Sequence, residues 1–426
     1  MRVSKDRLNQ IKKKYNVDTL WSWSRINSFH SDPYSYYLNY VLHKPQTIKD
    51  SIYGFEGGEC HDIIERFYNN EIKYEDMIGE YEKVLLDIES KKLKYNKTDA
   101  DKNKAIATKY ENSIRHFFNN YKPFVNGDIK TEMFTTIKIG DNIFQGYIDF
   151  LRKYKDENGV NNFQILDWKT STIYKGEKKE NEAGQLLLYA LAIHQKGVPY
   201  ENIHCAWNFL KYVEVESCLA SKDKKTGKYK TKSKECVRAT WVKESEANIK
   251  SWIKRWYKQE NGEDIDELTL VDMVTTAIEN NNLDNLPEEV KNKFTLHDCY
   301  VNIEVSEDII NNLCKDIIQR IDEINKKVDE TNKLMEMRDD FEPNSEEWEN
   351  IDEEIDKIWW KDVTKQDEYF FYNLCGYSRK DHKPWNAYLK EKEIGINKEN
   401  KWENGIENNN KEEELSKEDL DWWNSL

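Results

Sequence analysis

Two short stretches, Gly146-Tyr-Ile-Asp149 and Ile165-Leu-Asp167-Trp-Lys169, decide how this sequence folds. Their apolar residues follow strand patterns, and the polar cluster Lys155-Asp-Glu-Asn-Gly159 between them predicts a turn. A hairpin then places the two strands side by side. Asp167 and Lys169 are two residues apart, so on a strand their side chains project from the same face. The pattern predicts two carboxylates and one ammonium at one edge of a sheet.

Such a group has a plain chemical use. Paired carboxylates bind hard divalent cations, and a neighbouring lysine can hold a water molecule or an anionic oxygen. The alternative is a solvated Asp-x-Lys pair on an exposed strand, because so short a motif often occurs by chance. The apolar pair Ile165-Leu166 favours the metal site, since it indicates that Asp167 emerges from buried structure, where an unpaired carboxylate is costly.

Length and composition bound the remaining choices. A chain of 426 residues predicts two or three domains with a sizeable core. No stretch is apolar enough to span a bilayer, and the first residues lack the apolar region of a signal peptide. Seven cysteines without close pairs are typical of a reducing compartment. We therefore expect a cytoplasmic protein without a membrane partner. The abundance of Asn, Lys and Ile suggests an AT-rich genome, and a phage protein in its host's cytoplasm is one interpretation.

The net charge of −15 is unevenly distributed. Residues 336–370 hold fourteen acidic and four basic residues, and residues 386–426 hold eleven and six. By contrast, Lys222 to Lys234 contains seven lysines and one aspartate. Because nucleic acid responds to the local field, a basic stripe on an acidic protein remains compatible with nucleic-acid binding.

Five segments in order resemble the PD-(D/E)XK nuclease superfamily, and within it the RecB/AddB-like branch related to CRISPR-associated RecB-like exonucleases. Together they cover roughly the first half of the chain and are more specific than any one of them. The segments are Trp21-Ser-Trp-Ser24 through Tyr34, Gly57-Gly-Glu-Cys-His61-Asp-Ile-Ile-Glu65, Gly146-Tyr-Ile-Asp149, Leu166-Asp-Trp-Lys-Thr170 and Gln185-Leu-Leu-Leu-Tyr189.

The resemblance implies a fold and a site. The fold is α/β: a restriction-endonuclease-like core with a mixed central sheet flanked by helices, a helical N-terminal portion and a C-terminal helical hairpin. The implied ligands of one or two Mg²⁺ or Mn²⁺ ions are His61, Asp149, Asp167 and the carbonyl of Trp168. Lys169 is the implied catalytic lysine beside Asp149 and Asp167. Gln185 and Tyr189 are implied to contact the nucleic-acid strand.

The chain departs from that branch at one point. Many relatives carry three clustered cysteines near the C-terminal end of the nuclease region, whereas this chain keeps only Cys375 there, and Asp32 stands where a fourth cysteine often lies. Four thiolates are normally required. We therefore expect no iron–sulfur cluster, and we expect apolar packing around Tyr377 and Trp385 to join the two ends instead.

Further candidates have ordinary structural alternatives. His61 and Glu65 share one face of a predicted helix, but a lone histidine is more often structural than a ligand. Glu132, like Glu65, is a candidate for the surroundings of the metal site or a solvated carboxylate. Residues 203–216 and 236–242 are predicted to form two strands, and the lysine-rich tip between them is either a solvated loop or an arm that contacts phosphates. Its candidate nucleic-acid-binding residues are Lys224, Lys225, Lys228, Lys230 and Lys232.

The expected organisation has four parts. Residues 1–125 form the helical N-terminal portion with His61, and residues 126–260 form the nuclease core with the lysine-rich hairpin 222–234. Residues 261–385 form a helical extension with an acidic helical hairpin at about 307–360, capped through Asn344 and Glu347. Residues 386–426 are expected to be a disordered acidic tail. The acidic half or its tail is a candidate surface for a protein partner.

The function predicted from these features is metal-dependent cleavage of DNA, with an exonuclease in replication, recombination or repair as the leading interpretation. One alternative is a nucleic-acid-binding or recombination partner that is catalytically silent. Another is the nuclease subunit of a helicase–nuclease assembly. The sequence has no Gly-x-x-x-x-Gly-Lys-Ser/Thr phosphate loop, so an ATP-driven motor of that type would have to be another chain.

Overall fold

The computed structural model describes residues 3–46 and 51–403, with side chains up to residue 393. A mixed central sheet is flanked by helices, and the N- and C-terminal regions are helical. This confirms the predicted fold class. None of the helices within the described ranges is long and apolar enough to cross a membrane. Residues 404–426, the end of the expected acidic tail, lie outside the described residues.

The strands form one sheet in which β3, β4 and β5 are central. β2 and β4 pair antiparallel with β3, β1 and β3 are parallel, and β5 runs parallel to β4. β6 and β7 both pair antiparallel with β5. The strands are β1 (Leu20–Trp21), β2 (Asp128–Ile139), β3 (Asn142–Lys155), β4 (Asn161–Lys169), β5 (Ile203–Lys222), β6 (Tyr229–Val237) and β7 (Phe294–Ile303).

The helices before β5 cover both faces of the sheet. They are α1 (Lys5–Tyr15), α2 (Trp23–Ser31), α3 (Pro33–Tyr36, continued by a π-turn at Tyr37–Val41), α4 (Ile52–Tyr68), α5 (Met77–Ser90), α6 (Ala100–Asn120), α7 (Gly176–Glu182) and α8 (Gly184–His194).

The helices after β6 belong to the second half of the chain. They are α9 (Trp241–Glu244), α10 (Glu246–Asn261), α11 (Glu267–Asn280), α12 (Glu288–Lys291), α13 (Glu307–Arg338), α14 (Glu346–Trp359), α15 (Glu368–Asn373) and α16 (Lys383–Glu403).

The alternation of side chains along β4 explains the two layers of helices. Leu166 and Trp168 point into a core shared with α4, α5 and α6, whereas Ile165 points into a core shared with α2, α8 and the α13–α14 hairpin. Both faces of the strand are therefore buried, as expected for a central strand that pairs in parallel with its neighbour.

Two glycines allow these layers to approach closely. A Cβ on Gly146 in β3 would lie 2.7 Å from the ring of Tyr189 in α8, and a Cβ on Gly184 would lie 2.0 Å from the ring of Trp23 in α2. Small residues are thus required where α8 crosses β3 and where α2 crosses α8.

The structure differs from the sequence-based expectations in three segments. The strand predicted for residues 236–242 ends at Val237, because Trp241 and Val242 turn into α9 and are buried against α10 and α11. The segment expected to be helical from residue 261 also contributes β7, which pairs with β5. The lysine-rich segment is largely β-strand, with only residues 223–228 forming the turn.

The C-terminal region also differs in detail. The acidic hairpin is present as α13 and α14, but Ser345, rather than the predicted Asn344, caps α14 by accepting a hydrogen bond from the backbone of Trp348. Asn344 instead has φ +67°, a left-handed conformation that asparagine tolerates. The expected disordered tail begins at residue 386, but in the structure α16 includes residues 386–403.

A buried polar contact joins the two ends of the described chain. His382 Nε2 lies 2.9 Å from Asp32 Oδ2, and both side chains are almost fully buried. Ser35 also donates a hydrogen bond to Asp32. Burial alone would raise the pKa of Asp32, but the hydrogen bonds and charge of His382, together with Ser35, hold that pKa below its usual value. Trp385 stacks on Phe371 nearby, so polar and apolar contacts together fix the C-terminal segment against α2 and α3.

We expect His382→Ala to lower the free energy of unfolding by about 3 kcal/mol, because it leaves the buried Asp32 carboxylate without its main partner. His297→Ala is the matched control, since His297 contacts Glu216 at 3.1 Å but is exposed, and its loss should cost less than about 1 kcal/mol. Urea denaturation measures both. Equal losses in the two variants would show that the Asp32–His382 contact does not hold the ends together.

A second buried carboxyl supports α4. Glu56 accepts hydrogen bonds from the hydroxyls of Tyr81 at 2.5 Å and Tyr95 at 2.7 Å, and it is fully buried. Burial raises the pKa of Glu56 to about 7. The carboxyl therefore holds its proton in the folded state at pH values at which the unfolded chain, with an ordinary pKa of about 4.3, has lost it.

The sign of the resulting pH dependence follows from proton binding. Between about pH 4.5 and about pH 7 the folded state binds one proton more than the unfolded state at Glu56, so stability falls as the pH rises through this window. The expected loss is about 3 kcal/mol. Glu56→Gln should remove this part of the pH dependence. The measurement is the free energy of unfolding of both proteins, plotted as a curve against pH. Parallel curves for wild type and variant across that window would contradict the prediction.

Candidate metal centre and active site

The candidate site forms where two central strands separate. The β3–β4 ladder ends at the pair Phe150 and Leu166. Asp149 precedes Phe150 and Asp167 follows Leu166, so both lie next to that pair. They stand on facing strands that no longer form backbone hydrogen bonds with each other. The two carboxyl groups lie close enough there to interact with each other.

The two carboxyl groups have different surroundings. Burial, followed by the negative charge of Asp167, raises the pKa of Asp149 well above its usual value. Burial would also raise the pKa of Asp167, but the adjacent ammonium of Lys169, at 2.7 Å from its Oδ2, holds that pKa below the usual range. The surroundings thus favour the charged form of Asp167 more than that of Asp149.

His61 reaches this pair from α4. Its Nε2 lies 2.6 Å from the carbonyl oxygen of Trp168, and its Nδ1 lies 3.4 Å from Asp149 Oδ2. Burial lowers the pKa of His61, which keeps the imidazole neutral. A neutral ring that donates through Nε2 presents the Nδ1 lone pair to Asp149. The four implied ligands therefore lie together: His61, Asp149, Asp167 and the Trp168 carbonyl.

Glu132 is brought into the same cluster by an irregularity in β2. Thr131 pairs with Phe150 and Met133 with Ile148, so Glu132 lies at the break in the ladder, level with Asp149. Its φ of +45° is unusual for a residue with a side chain, and such conformations persist only where the surroundings enforce them. Ligand atoms of His61, Glu132 and Asp149 all lie within 4.8 Å of one another.

These residues fit a hard divalent cation. The donor set consists of carboxylates, one imidazole and one backbone carbonyl, which suits Mg²⁺ or Mn²⁺. The Oδ2 atom of Asp149 is buried and has no hydrogen bond of good geometry among the described residues. A buried acceptor without a partner is costly, and a cation at this position removes that cost. The sequence placed Glu132 only in the surroundings of the site, whereas the geometry gives it direct access.

Glu65 lies apart from this cluster. It follows His61 by one turn of α4 and is partly exposed, and its side chain makes no hydrogen bond or ion pair with the residues that the structure describes. Sequence spacing alone could not separate it from Glu132, because a helical i,i+4 relation shows a shared face but not what that face contacts.

Gln185 and Tyr189 border the carboxylate pair from α8. Gln185 Nε2 donates a hydrogen bond to the Tyr189 hydroxyl at 3.1 Å. Burial, and then the charges of Asp149 and Asp167, raise the pKa of Tyr189. The hydroxyl therefore remains protonated and close to the two carboxyl groups, while the partly exposed Gln185 lies at the edge of the site.

The lysine-rich hairpin begins beside the end of β4. Lys169, the last residue of β4, pairs with Phe209 of β5, and β6 takes over the same edge of β5 from the pair Tyr212 and Val237. Lys175, in the loop between β4 and α7, contacts Glu235 of β6, with its Nζ 2.7 Å from Glu235 Oε2. The five candidate lysines are all exposed: Lys224, Lys225, Lys228, Lys230 and Lys232.

Metal binding at this cluster can be tested by stability. We expect Mn²⁺ to raise the melting temperature of the protein, by about 2.7 kcal/mol of added stability at a concentration a hundredfold above the dissociation constant. Asp149→Asn should remove the response to Mn²⁺ and stabilise the metal-free protein, because it removes a buried carboxyl beside Asp167. Asp128→Asn, an exposed position on β2, is the control and should respond as wild type does. A full response in Asp149→Asn would exclude this cluster as the metal site.

Comparison with known proteins agrees with this geometry. A family model for the PD-(D/E)XK nuclease superfamily matches residues 20–269, a range that runs from β1 into α11 and contains every residue of the cluster. A search of curated proteins found no match. Members of this superfamily are metal-dependent nucleases. In this chain a cluster of possible metal-ligand groups lies where β3 and β4 separate. The chain belongs to the PD-(D/E)XK nuclease superfamily.

Proposed function

We propose that this protein is a Mg²⁺- or Mn²⁺-dependent deoxyribonuclease that acts as an exonuclease in DNA replication, recombination or repair. The observation that carries the proposal is the convergence of His61, Glu132 and Asp149 beside the Asp167–Lys169 pair. A binding module has no use for so many buried titratable groups, which cost stability unless they serve chemistry.

Each residue has a role in the proposed reaction. His61, Asp149, Asp167 and the Trp168 carbonyl would hold one or two ions, and Glu132 would be a further ligand or support one. Such an ion would supply a water molecule of lowered pKa and would neutralise charge on the phosphate. Lys169 keeps Asp167 ionised through its 2.7 Å contact, and its ammonium orients the attacking water or stabilises the charge that develops on the phosphate oxygens.

The proposed contacts with the substrate surround this centre. Gln185 donates from the edge of the site, with its amide oriented by Tyr189. The exposed lysines of the β5–β6 hairpin provide a local positive field on a chain of net charge −15, and each phosphate they neutralise adds to the salt dependence of binding. The choice of DNA and of exonucleolytic cleavage rests on the resemblance to the RecB/AddB-like branch.

The proposal includes three further statements about the chain. It is a RecB-like nuclease without an iron–sulfur cluster, and the Asp32–His382 contact joins the segments that a cluster would otherwise connect. Its composition favours a phage origin and a cytoplasmic location. The acidic face of α13 and α14 is its candidate surface for a protein partner, for example the motor chain of a helicase–nuclease assembly.

Cleavage of end-labelled single- and double-stranded DNA tests the function directly. We expect wild type to degrade at least one of these with Mg²⁺ or Mn²⁺ and to be inactive with EDTA. Asp167→Asn and Lys169→Met should each lower the rate about a hundredfold or more. Lys130→Met is the matched control, because Lys130 is exposed on β2 near Glu132 without belonging to the cluster, and it should retain the wild-type rate.

The outcomes separate the proposed function from its alternative. The Asp167→Asn and Lys169→Met proteins must keep the wild-type melting temperature within a few degrees for their loss of activity to be assigned to chemistry. A wild-type protein that binds DNA tightly but cleaves neither substrate with either metal would instead favour a catalytically silent binding partner. The ladder of products distinguishes cleavage from an end from internal cleavage.

A further inference from the structure

Lys211 is a half-buried cation that the proposed reaction leaves unused. It lies on β5 two residues after Phe209, which pairs with Lys169 at the end of β4. Its ammonium sits 4.4 Å from the centre of the Tyr110 ring. Among the described residues no carboxylate lies within 4.0 Å of this ammonium, and it makes no hydrogen bond there. An ammonium held in this way retains the capacity to bind an anion.

The surroundings of Lys211 are connected to the candidate active site through α4. His61 of α4 contacts the Trp168 carbonyl. One turn earlier, a Cβ on Gly57 would lie 3.1 Å from the Thr170 hydroxyl. The Thr170 and Tyr110 hydroxyls are close enough to interact, and Lys211 covers the ring of Tyr110. The same face of α4 thus leads from the metal centre, past Thr170, to Lys211.

The hydroxyl of Tyr110 strengthens this connection. It is buried and makes no hydrogen bond of good geometry within the described parts of the chain. Because Tyr110 is buried and lies next to Thr170, its ring is fixed and holds the Lys211 ammonium over its face. Thr170 supplies a second hydroxyl at the same place, directly after Lys169 in the sequence.

A purely structural role for Lys211 would be to balance the buried Glu56 carboxyl. Glu56 does raise the pKa of Lys211, but burial has the larger effect and lowers that pKa to about 8. Glu56 is already bonded to two tyrosine hydroxyls and forms no direct ion pair with Lys211. The charge of the lysine is therefore only weakly compensated inside the protein.

We propose that Lys211, whose ammonium is held over the Tyr110 ring beside Thr170, forms a subsite that binds a backbone phosphate of the nucleic-acid strand next to the phosphate being cleaved. This inference rests on the proposed function. The subsite lies between the end of β4 and the start of the lysine-rich hairpin, because β6 joins β5 only from Tyr212 onwards. The strand would then pass from the metal centre across Lys211 to the hairpin lysines along one edge of β5.

The subsite predicts a specific change in binding. The probe is a fluorescein-labelled oligothymidylate, whose affinity for the full chain is measured by anisotropy in EDTA, so that cleavage does not compete. Lys211→Met should weaken binding about tenfold, as expected for a hydrogen bond to a charged group. It should also lower the slope of log affinity against log salt concentration by about 1, because one phosphate contact is lost.

Lys109→Met is the matched control. Lys109 is one residue before Tyr110 on α6 and is exposed, and it acts on Lys211 only through its charge, so this variant removes the same charge from the same region without removing a group of the subsite. It should bind with the wild-type salt slope. Should Lys211→Met fail to fold, Lys211→Gln keeps a polar side chain and is judged by the same two measurements.

The outcomes distinguish this inference from the function on which it rests. A folded Lys211→Met protein with wild-type affinity and salt slope would overturn the subsite while leaving nuclease activity intact. Equal weakening in Lys211→Met and Lys109→Met would also overturn it, since the effect would then be one of net charge. A wild-type chain that neither binds nor cleaves nucleic acid would contradict the proposed function itself, and the subsite with it.

Discussion

The structure depends on the burial of two carboxyl groups, Asp149 and Asp167, at the point where β3 and β4 separate. Two buried carboxylates repel each other and lose their hydration, so they persist only with compensation. Lys169 compensates Asp167 directly, whereas burial beside Asp167 raises the pKa of Asp149. The remaining unsatisfied acceptor, Asp149 Oδ2, faces His61. This arrangement is poor for stability and suitable for a cation.

The rest of the fold holds these groups in place. α4 carries His61 to the Trp168 carbonyl, and the helix is fixed from behind by Glu56 and its two tyrosine partners. α8 approaches β3 closely because Gly146 has no side chain to oppose Tyr189. At a distance, the Asp32–His382 contact ties the C-terminal helices to α2 and α3. Two of these supports, Glu56 with its tyrosines and Asp32 with His382, are buried polar contacts, which demand defined geometry in a way that apolar packing does not.

The path proposed for the nucleic-acid strand runs over polar groups between the candidate metal centre and the lysine-rich hairpin. The protein is acidic overall, yet the edge of β5 carries Lys211 and leads to the exposed lysines of β6. Attraction of a polyanion depends on such a local arrangement rather than on net charge. The acidic α13–α14 hairpin concentrates the opposite charge elsewhere in the chain.

The sequence by itself determined the α/β class, the strands around Asp149 and Asp167, and the helix carrying His61, because alternation, turn residues and helical periodicity are local properties. It could not determine that Glu132 joins the cluster, since a break in the β2–β3 ladder places it there. Nor could it show that β7 completes the sheet or that Asp32 meets His382, whose positions are 350 residues apart. Only the tertiary structure decides such contacts, because they depend on how whole elements pack rather than on the pattern within any one of them.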